Sequence, residues 1–165
     1  QTKPPASGQP ITVLPAYQEY SYKGNPAPVY SCPSTNSYRA ANGKAVLGGG
    51  RIRIWGSVGD WVMIGYGLSN NLYRIGYVQK SYFPADLAMQ ELVFDRKPAT
   101  VVSKASLTDD PIIQPTWLLE IPVGTKVTLL AYENFVNPPH WAYIETTING
   151  QAIRGFVNKI RIQAD

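Results

Sequence analysis

The side chains that could perform covalent chemistry are few and lie far apart in the sequence. Cys32 is the only cysteine and His140 is the only histidine, whereas a thiol nucleophile needs its base within hydrogen-bond reach. Cys32 precedes Pro33 in a predicted loop and not at a helix N-terminus, which would lower the thiol pKa. His140 follows two prolines and is expected to be an exposed loop residue. The sequence therefore argues against thiol catalysis.

The carboxylates do not form the pattern of a metal site or of a glycosidase. Asp109, Asp110 and Glu120 lack the repeated oxygen-ligand spacing of a calcium-binding loop. The eleven acidic residues are scattered, whereas glycoside hydrolysis requires two carboxylates in one cleft. The sequence therefore predicts no catalytic residue, no metal site and no cofactor, and we expect that the chain is not an enzyme.

The composition indicates which partners and which cellular location to expect. Fifteen Lys and Arg against eleven Asp and Glu give a net charge of +4, which suits an anionic surface, but no basic run indicates nucleic-acid binding. A single cysteine excludes an internal disulfide and suits export. No segment approaches the roughly 20 apolar residues of a membrane span. We expect an exported protein, without a transmembrane segment, whose leader was removed before Gln1.

One order of residues occurs twice in the chain. The first copy contains Asp60-Trp61-Val62-Met63-Ile64 and then Arg74-Ile75-Gly76-Tyr77-Val78; the second contains His140-Trp141-Ala142-Tyr143-Ile144 and then Arg154-Gly155-Phe156-Val157. Apolar and polar residues alternate in several segments, which indicates half-buried strands, and Asn149-Gly150 is a strong hairpin signal. The pattern predicts two copies of one small β unit.

These signals predict an all-β fold with two small, partly open barrels in tandem, since no segment has a sustained apolar period of 3.6 residues. We assign residues 1–27 to a Pro- and Tyr-rich N-terminal extension, 28–83 to the first barrel, 84–97 to a linker and 98–165 to the second barrel. Part of the extension is expected to add a strand to the first barrel. In the linker, one helical turn is expected in 84–90 and an entering strand in 91–94. The main predicted strands span residues 51–55, 61–66, 73–78, 126–132, 141–148, 151–157 and 160–162.

The first unit resembles a bacterial Src-homology-3-like domain. Such domains open near Val-Arg-x-Gly-Pro-(Ser/Thr)-x-x-Tyr, and here residues 29–38 read Val-Tyr-Ser-Cys-Pro-Ser-Thr-Asn-Ser-Tyr. They continue with Gly-x-Trp-x-x-(Val/Ile), found at Gly59 to Ile64, and Gly-(Trp/Tyr)-Val, found at Gly76 to Val78. The second unit matches mainly in its later half. Tyr30 replaces the family's Arg and Cys32 replaces its Gly, so the ligand contacts of relatives need not be shared.

The resemblance implies a binding function. Bacterial members usually belong to exported proteins and are thought to engage peptidoglycan, especially its peptides, or to act as spacers. It implies a module of the cell envelope or exterior whose partner is peptidoglycan, its stem peptide or an extended protein segment. The alternative is a structural module for protein–protein interaction or self-association, without a small ligand.

Aromatic residues are the candidate ligand contacts. Tyr rings pack on Pro or aliphatic faces of an extended peptide while their hydroxyl groups stay in water. Tyr38 is the best candidate because it lies in the loop after the opening strand. Trp61 and Trp141 recur at matching positions, which favours core packing. For Asp60, which could pair with a ligand amine, a simple turn role is the competing interpretation. The candidate site residues are Tyr30, Tyr38, Trp55, Asp60, Tyr77 and Trp117.

Overall fold

The computed structural model describes residues 10–68, 73–109 and 117–165. Short strands dominate these ranges, and the predicted all-β class is confirmed. The elements are β1 Gln18–Tyr22, β2 Ala27–Pro28, α1 Ala40–Gly43, β3 Val46–Leu47, β4 Gly50–Val58, β5 Trp61–Gly67, β6 Tyr73–Gln79, β7 Lys97–Val101, β8 Ala105–Thr108, β9 Trp117–Ile121, β10 Lys126–Tyr132, β11 Trp141–Ile148, β12 Gln151–Asn158 and β13 Ile162–Ala164, with 3₁₀ helices at Lys80–Tyr82 and Lys159–Arg161.

The strands form antiparallel sheets. One sheet has the order β1-β4-β5-β6, a second has the order β13-β7-β10-β11-β12-β8-β9, and β2 pairs with β3. β1 lies in the segment assigned to the N-terminal extension and pairs with β4 over its whole length, from Gln18 opposite Ile54 to Tyr22 opposite Gly50. The barrel boundaries set from the sequence remain predictions.

Of two local expectations for the linker, one is met and one is corrected. The single turn expected in 84–90 is closed by the Leu87 N–H donating to the Pro84 carbonyl at 3.1 Å, and no helix follows it. The expected strand at 91–94 is replaced by isolated bridges, from Glu91 to Ser57 and from Phe94 to Ile11. Because the two bridges go to different partners, the segment makes isolated contacts where a strand would make a continuous ladder.

The two halves of the chain repeat one plan. β1 pairs with β4 in the first half, and β7 pairs with β10 in the second. The pairing of β4 with β5 shifts register between Ile54 and Gly56, and the pairing of β10 with β11 shifts register between Leu129 and Ala131. Each middle hairpin is followed by a 3₁₀ helix. The duplication predicted from the sequence is therefore present in strand pairing as well as in residue order.

Alternate residues of the middle hairpins face two different cores. Successive side chains of a strand point to opposite faces of its sheet. In β5, Val62 and Ile64 pack into the core of the first unit, whereas Met63 packs into a third core. In β11, Ala142 packs into the core of the second unit and Tyr143 into the third. This third core, which we call the shared core, combines residues from both units: Leu14, Trp55, Met63, Ile75, Tyr77, Leu92, Phe94, Leu130, Ala131, Tyr143 and Phe156.

A polar network lies inside the shared core. The hydroxyl groups of Tyr77 and Tyr143 are 2.8 Å apart, and Arg154 Nη1 donates to the Tyr77 hydroxyl at 2.9 Å. Arg154 Nε donates to Glu145 Oε1 at 2.8 Å. Buried polar groups are costly unless they are hydrogen-bonded, so this network specifies how the two units pack. We call Tyr77, Tyr143, Arg154 and Glu145 the junction network.

Burial raises the pKa of Tyr77 and Tyr143 above the ordinary tyrosine value, because the phenolate would lack water. A group whose pKa is higher in the folded protein binds its proton more tightly there than in the unfolded chain. The stability linked to these two protons is therefore complete below about pH 10, the pKa of an unfolded tyrosine. It is lost as the pH rises above that value.

We predict that removal of the Tyr77 hydroxyl destabilises the fold more than removal of the Tyr143 hydroxyl. Tyr77→Phe leaves Arg154 Nη1 and the Tyr143 hydroxyl without this partner, and should lower the free energy of unfolding by about 2–3 kcal/mol. Tyr143→Phe leaves the bond between Arg154 and Tyr77 in place and should cost about 1 kcal/mol. Tyr132→Phe, on an edge of the second core, is the control. Urea denaturation measures all three, and equal losses for Tyr77→Phe and Tyr143→Phe would contradict the network.

A second prediction concerns the glycines that recur in both units. A Cβ at Gly155 would lie 2.8 Å from the Thr108 carbonyl oxygen, and a Cβ at Gly76 would lie 2.9 Å from the Tyr30 carbonyl oxygen. Gly155→Ala and Gly76→Ala should each lower the free energy of unfolding by about 1–3 kcal/mol, the usual cost of overpacking. Gly48→Ala is the matched control, since a Cβ there meets no atom within 4 Å. A loss at Gly155 no larger than at Gly48 would refute the close approach.

Candidate functional site

An open cleft of about 800 Å³, including solvent at its mouth, lies where the first unit meets the β11–β12 hairpin of the second. It contains Tyr30 and Tyr38, two of the residues predicted to bind ligand. Its other walls are polar, which suits the backbone of a peptide better than a fully apolar ligand. We call this surface the tyrosine cleft; its lining residues are Tyr30, Thr35, Ser37, Tyr38, Arg39, Asn42, Gly43 and Gln151.

Tyr30 is held by a pair of backbone hydrogen bonds to the edge of β6. Its N–H donates to the Tyr77 carbonyl at 2.9 Å, and the Tyr77 N–H donates back to the Tyr30 carbonyl at 2.7 Å. Gly76 lets the two segments approach this closely. The Tyr30 ring makes an edge contact with Trp61 at a centroid distance of 5.7 Å. The half-buried ring is therefore held against Trp61 where it lines the tyrosine cleft.

The loop between Tyr30 and Tyr38 is closed at its base. The Ser31 N–H donates to the Tyr38 carbonyl at 2.9 Å, and the buried Ser37 hydroxyl donates to the Ser34 carbonyl at 2.7 Å. The Tyr38 N–H donates across the units to the Ala152 carbonyl at 2.9 Å. The rigid loop positions Tyr38 beside the hairpin of the second unit, so both units shape the tyrosine cleft.

Arg39 gives the tyrosine cleft a positive charge. Its Nε and Nη2 donate to the Ala45 carbonyl at 3.0 and 2.8 Å, and its guanidinium lies 5.3 Å from the centre of the Tyr30 ring. Within residues 10–68, 73–109 and 117–165, no carboxylate forms an ion pair with it. A guanidinium that is oriented but has no anionic partner can bind a carboxylate of a ligand.

The turn beside Arg39 has an unusual backbone. Ala41 and Asn42 both have φ of 56°, and Gly43 has φ of 80°, so three successive residues are left-handed. Asn and Gly adopt this region readily, but Ala does so at a cost of about 1–2 kcal/mol. The strained residue is therefore Ala41, and its neighbours Asn42 and Gly43 line the tyrosine cleft. Strained residues of this kind often lie near ligand sites.

A smaller pocket adjoins the tyrosine cleft and shares Tyr30 and Tyr38 with it. Its charged groups neutralise each other, since Arg74 Nε donates to Asp109 Oδ2 at 3.0 Å. Arg74 Nη1 donates to the Tyr66 hydroxyl at 3.1 Å. An anionic ligand is therefore attracted more strongly to Arg39 than to Arg74.

Two predicted site residues do not line an open surface. Trp55 and Tyr77 are each 0% exposed and belong to the shared core. Side chains alternate along β6, so Tyr77 does point to the face of the sheet that lies away from the core of the first unit. The second unit covers that face. Neither ring is available to a ligand in this structure, because packing between the units excludes it.

Asp60, another predicted site residue, lies outside the tyrosine cleft. Asp60 is exposed in the turn between β4 and β5, and its carbonyl accepts from the Lys80 N–H at 2.7 Å. Trp117 begins β9, and its side chain lies outside the described residues. Trp61 and Trp141 are half-buried and pack against the shared core. The expected exposure of His140 in a loop is confirmed.

Cys32 lies in the loop behind the tyrosine cleft and is buried. Burial raises the pKa of its thiol to about 11, because the thiolate would be poorly solvated; nearby Arg154 opposes this effect. At neutral pH the thiol is therefore protonated, and a protonated thiol is a poor nucleophile.

We predict that Cys32 reacts slowly with a disulfide reagent such as 5,5′-dithiobis(2-nitrobenzoate). With an ordinary cysteine pKa near 8.5, the unfolded chain has far more thiolate at pH 8 than the folded protein. Folded protein should therefore react at least about 100-fold more slowly than protein in guanidinium chloride. The absorbance of released thionitrobenzoate measures both rates. Equal rates would show an accessible, activated thiol.

Other site types find no support in the described part of the chain. No group of three or more His, Cys, Asp or Glu side chains there is arranged to hold a metal ion. No helix within those residues is long and apolar enough to cross a membrane.

Sequence reasoning missed Arg39 and Gln151 as cleft residues. Arg39 directly follows Tyr38, so a cation beside the best aromatic candidate was a signal that could have been used. Gln151 gave no such signal, because it begins β12 of the other unit and reaches the tyrosine cleft only through packing between the units.

Comparison with known proteins gives limited similarity. No protein-family model and no curated protein match this chain. Among solved structures, NlpC1 from Trichomonas vaginalis is 17% identical over 97% of this chain and 48% of its own, with a TM-score of 0.35. NlpC2 from the same organism is 14% identical over 87% of this chain and 49% of its own, with a TM-score of 0.34. The chain thus spans about half the length of these structures, and TM-scores this low carry no argument about function.

Proposed function

We propose that this chain is a non-catalytic binding module whose tyrosine cleft engages an extended peptide, with the stem peptide of peptidoglycan as the preferred ligand. The observation that carries the proposal is that Tyr30, Tyr38 and Arg39 converge in one open cleft, where no carboxylate of the described residues forms an ion pair with Arg39. The rings offer flat apolar faces to aliphatic side chains, and Arg39 offers a charge to a carboxylate.

The form of the tyrosine cleft supports a ligand that lies along a surface. Ser37, Asn42 and Gln151 place polar groups around the two rings, so a peptide backbone would find hydrogen-bond partners beside apolar contacts. The rigid loop and the closed base of the site reduce the entropy lost on binding. These features favour a preformed groove for a short peptide.

The proposed setting is the exterior or envelope of a bacterial cell. The net charge of +4 favours adsorption to an anionic wall, and the resemblance to bacterial Src-homology-3-like domains supports the same partner. The alternative, a module for protein–protein interaction or self-association, uses the same aromatic surface for a protein segment.

The test is co-sedimentation with insoluble peptidoglycan sacculi at micromolar protein and moderate salt. We expect the wild-type protein to pellet. Tyr38→Ala and Arg39→Gln should each weaken pelleting about tenfold, since each removes an anchor of the kind that dominates binding energy. Sacculi from which an amidase has removed the stem peptides should capture little protein.

Two matched variants control this experiment. Tyr82→Ala removes another half-buried tyrosine that packs on the first core, and Arg51→Gln removes another arginine charge. Neither residue lines the tyrosine cleft, so both variants should pellet like the wild type. Pelleting that survives removal of the stem peptides would refute peptide recognition. No pelleting of the folded wild type would favour a protein partner, and sedimentation velocity would then test self-association.

A further inference from the structure

A second cleft lies at another place where the units meet. It has a volume of about 730 Å³, including solvent at its mouth, and is lined by Ala16, Tyr17, Arg53, Asn134 and Phe135. Among the described residues, it shares no lining residue with the tyrosine cleft. Residues from β4 of the first unit and from the β10–β11 loop of the second therefore converge here. We call it the Arg53 cleft.

The Arg53 guanidinium lies between two tyrosine rings. It is 4.8 Å from the centre of the Tyr17 ring and 4.5 Å from the centre of the Tyr73 ring. Contacts of this kind with Tyr faces hold a planar guanidinium in place. The cation is therefore oriented before any ligand arrives.

The charge of Arg53 has no anionic partner within residues 10–68, 73–109 and 117–165. Its neighbour across the β1–β4 pairing is Glu19, but the Glu19 carboxylate pairs with Arg51 Nε at 2.7 Å. The buried Arg53 Nη1 also has no hydrogen-bond acceptor among those residues. A charged donor without an acceptor is costly. This buried atom does not itself meet a ligand in the open cleft, so a carboxylate there would pair with the other nitrogens of the guanidinium.

The aromatic walls of the Arg53 cleft rest on Trp55. The Trp55 ring makes edge contacts with Tyr17 at 5.4 Å and with Phe135 at 6.5 Å. Its buried Nε1 likewise has no acceptor within the described ranges. Two buried donors without acceptors thus belong to one aromatic cluster, and Trp55 can report spectroscopically on binding beside it.

A buried carboxylate shapes the other wall. Glu133 is only 1% exposed and accepts backbone N–H bonds from Phe135 and His140, both at 2.7 Å. It also accepts weaker bonds from Val136 and Trp141. These bonds organise the β10–β11 loop, so Asn134 and Phe135 reach the Arg53 cleft from a fixed loop.

We propose that the Arg53 cleft binds the free C-terminal carboxylate of a peptide. The Arg53 guanidinium pairs with the carboxylate, and the amide of Asn134, which also lines the cleft, donates to the same group. Tyr17 and Phe135 pack on the adjoining aliphatic carbons. A carboxylate fits better than a phosphate dianion, because Arg53 is the one cation among the described residues that line the cleft and a dianion favours several.

The test uses the full chain and two probes that differ by one group, N-acetyl-alanyl-alanine and its C-terminal amide. The readout is the indole N–H signal of Trp55 in a ¹⁵N–¹H correlation spectrum. We expect a saturable shift with the carboxylate in the low-millimolar range, roughly as a single charged anchor provides. The amide should bind at least about tenfold more weakly.

Three variants assign the binding to the Arg53 cleft. Arg53→Gln should weaken carboxylate binding at least about tenfold, and Asn134→Ala, in an exposed loop, should weaken it about two- to fivefold. Arg161→Gln is the matched control, because Arg161 is an exposed arginine that does not line the cleft, and it should change affinity less than about twofold. Arg39→Gln changes the tyrosine cleft and should also have little effect on binding at the Arg53 cleft. A failure of the carboxylate proposal is therefore distinguishable from a failure of the proposed function.

Several results would overturn the proposal. Equal binding of acid and amide, no saturable shift, or equal losses for Arg161→Gln and Arg53→Gln would each exclude a carboxylate at Arg53. Tighter binding of inorganic phosphate would reject the carboxylate class. Tighter binding of glucuronate than of the dipeptide would reject a peptide as the source of the carboxylate.

Discussion

The packing of two β units through one polar junction is the constraint on which the rest of the structure depends. The hydroxyl groups of Tyr77 and Tyr143 meet at 2.8 Å, and Arg154 donates to the first of them. Arg154 occupies the face of β12 that also carries Phe156, inside the shared core. An apolar core tolerates many arrangements of similar volume, whereas a buried, hydrogen-bonded arginine restricts them. The junction network therefore sets the relative position of the units.

Both candidate clefts follow from that position. The tyrosine cleft needs the β11–β12 hairpin beside the loop of the first unit, and the Arg53 cleft needs the β10–β11 loop beside β4. Each unit by itself would present only part of either surface. A mutation in the junction network would consequently disturb both clefts, although none of its residues lines them.

The arginines separate into two groups with different physical roles. Arg74 and Arg154 pair with Asp109 and Glu145 and keep buried surfaces electrically neutral. Arg39 and Arg53 lie against tyrosine rings and pair with no described carboxylate. Cation–π contacts orient a guanidinium without neutralising it, so the charge remains for a ligand. The net charge of +4 is thus partly concentrated at two places where both units meet.

The sequence by itself determined the all-β class, the duplication and the strands of both middle hairpins, because alternation and turn residues such as Asn149-Gly150 act over short distances. It also selected Tyr30 and Tyr38 as candidate ligand contacts, and both line the tyrosine cleft. It misassigned Tyr77 and Trp55, since alternation shows that a strand has two faces but not what covers the second. Only the tertiary structure decided that the second copy covers that face, and that Gln151 and Phe135 reach clefts of the first unit. The physical reason is that these contacts join residues distant in sequence, through packing that no local pattern encodes.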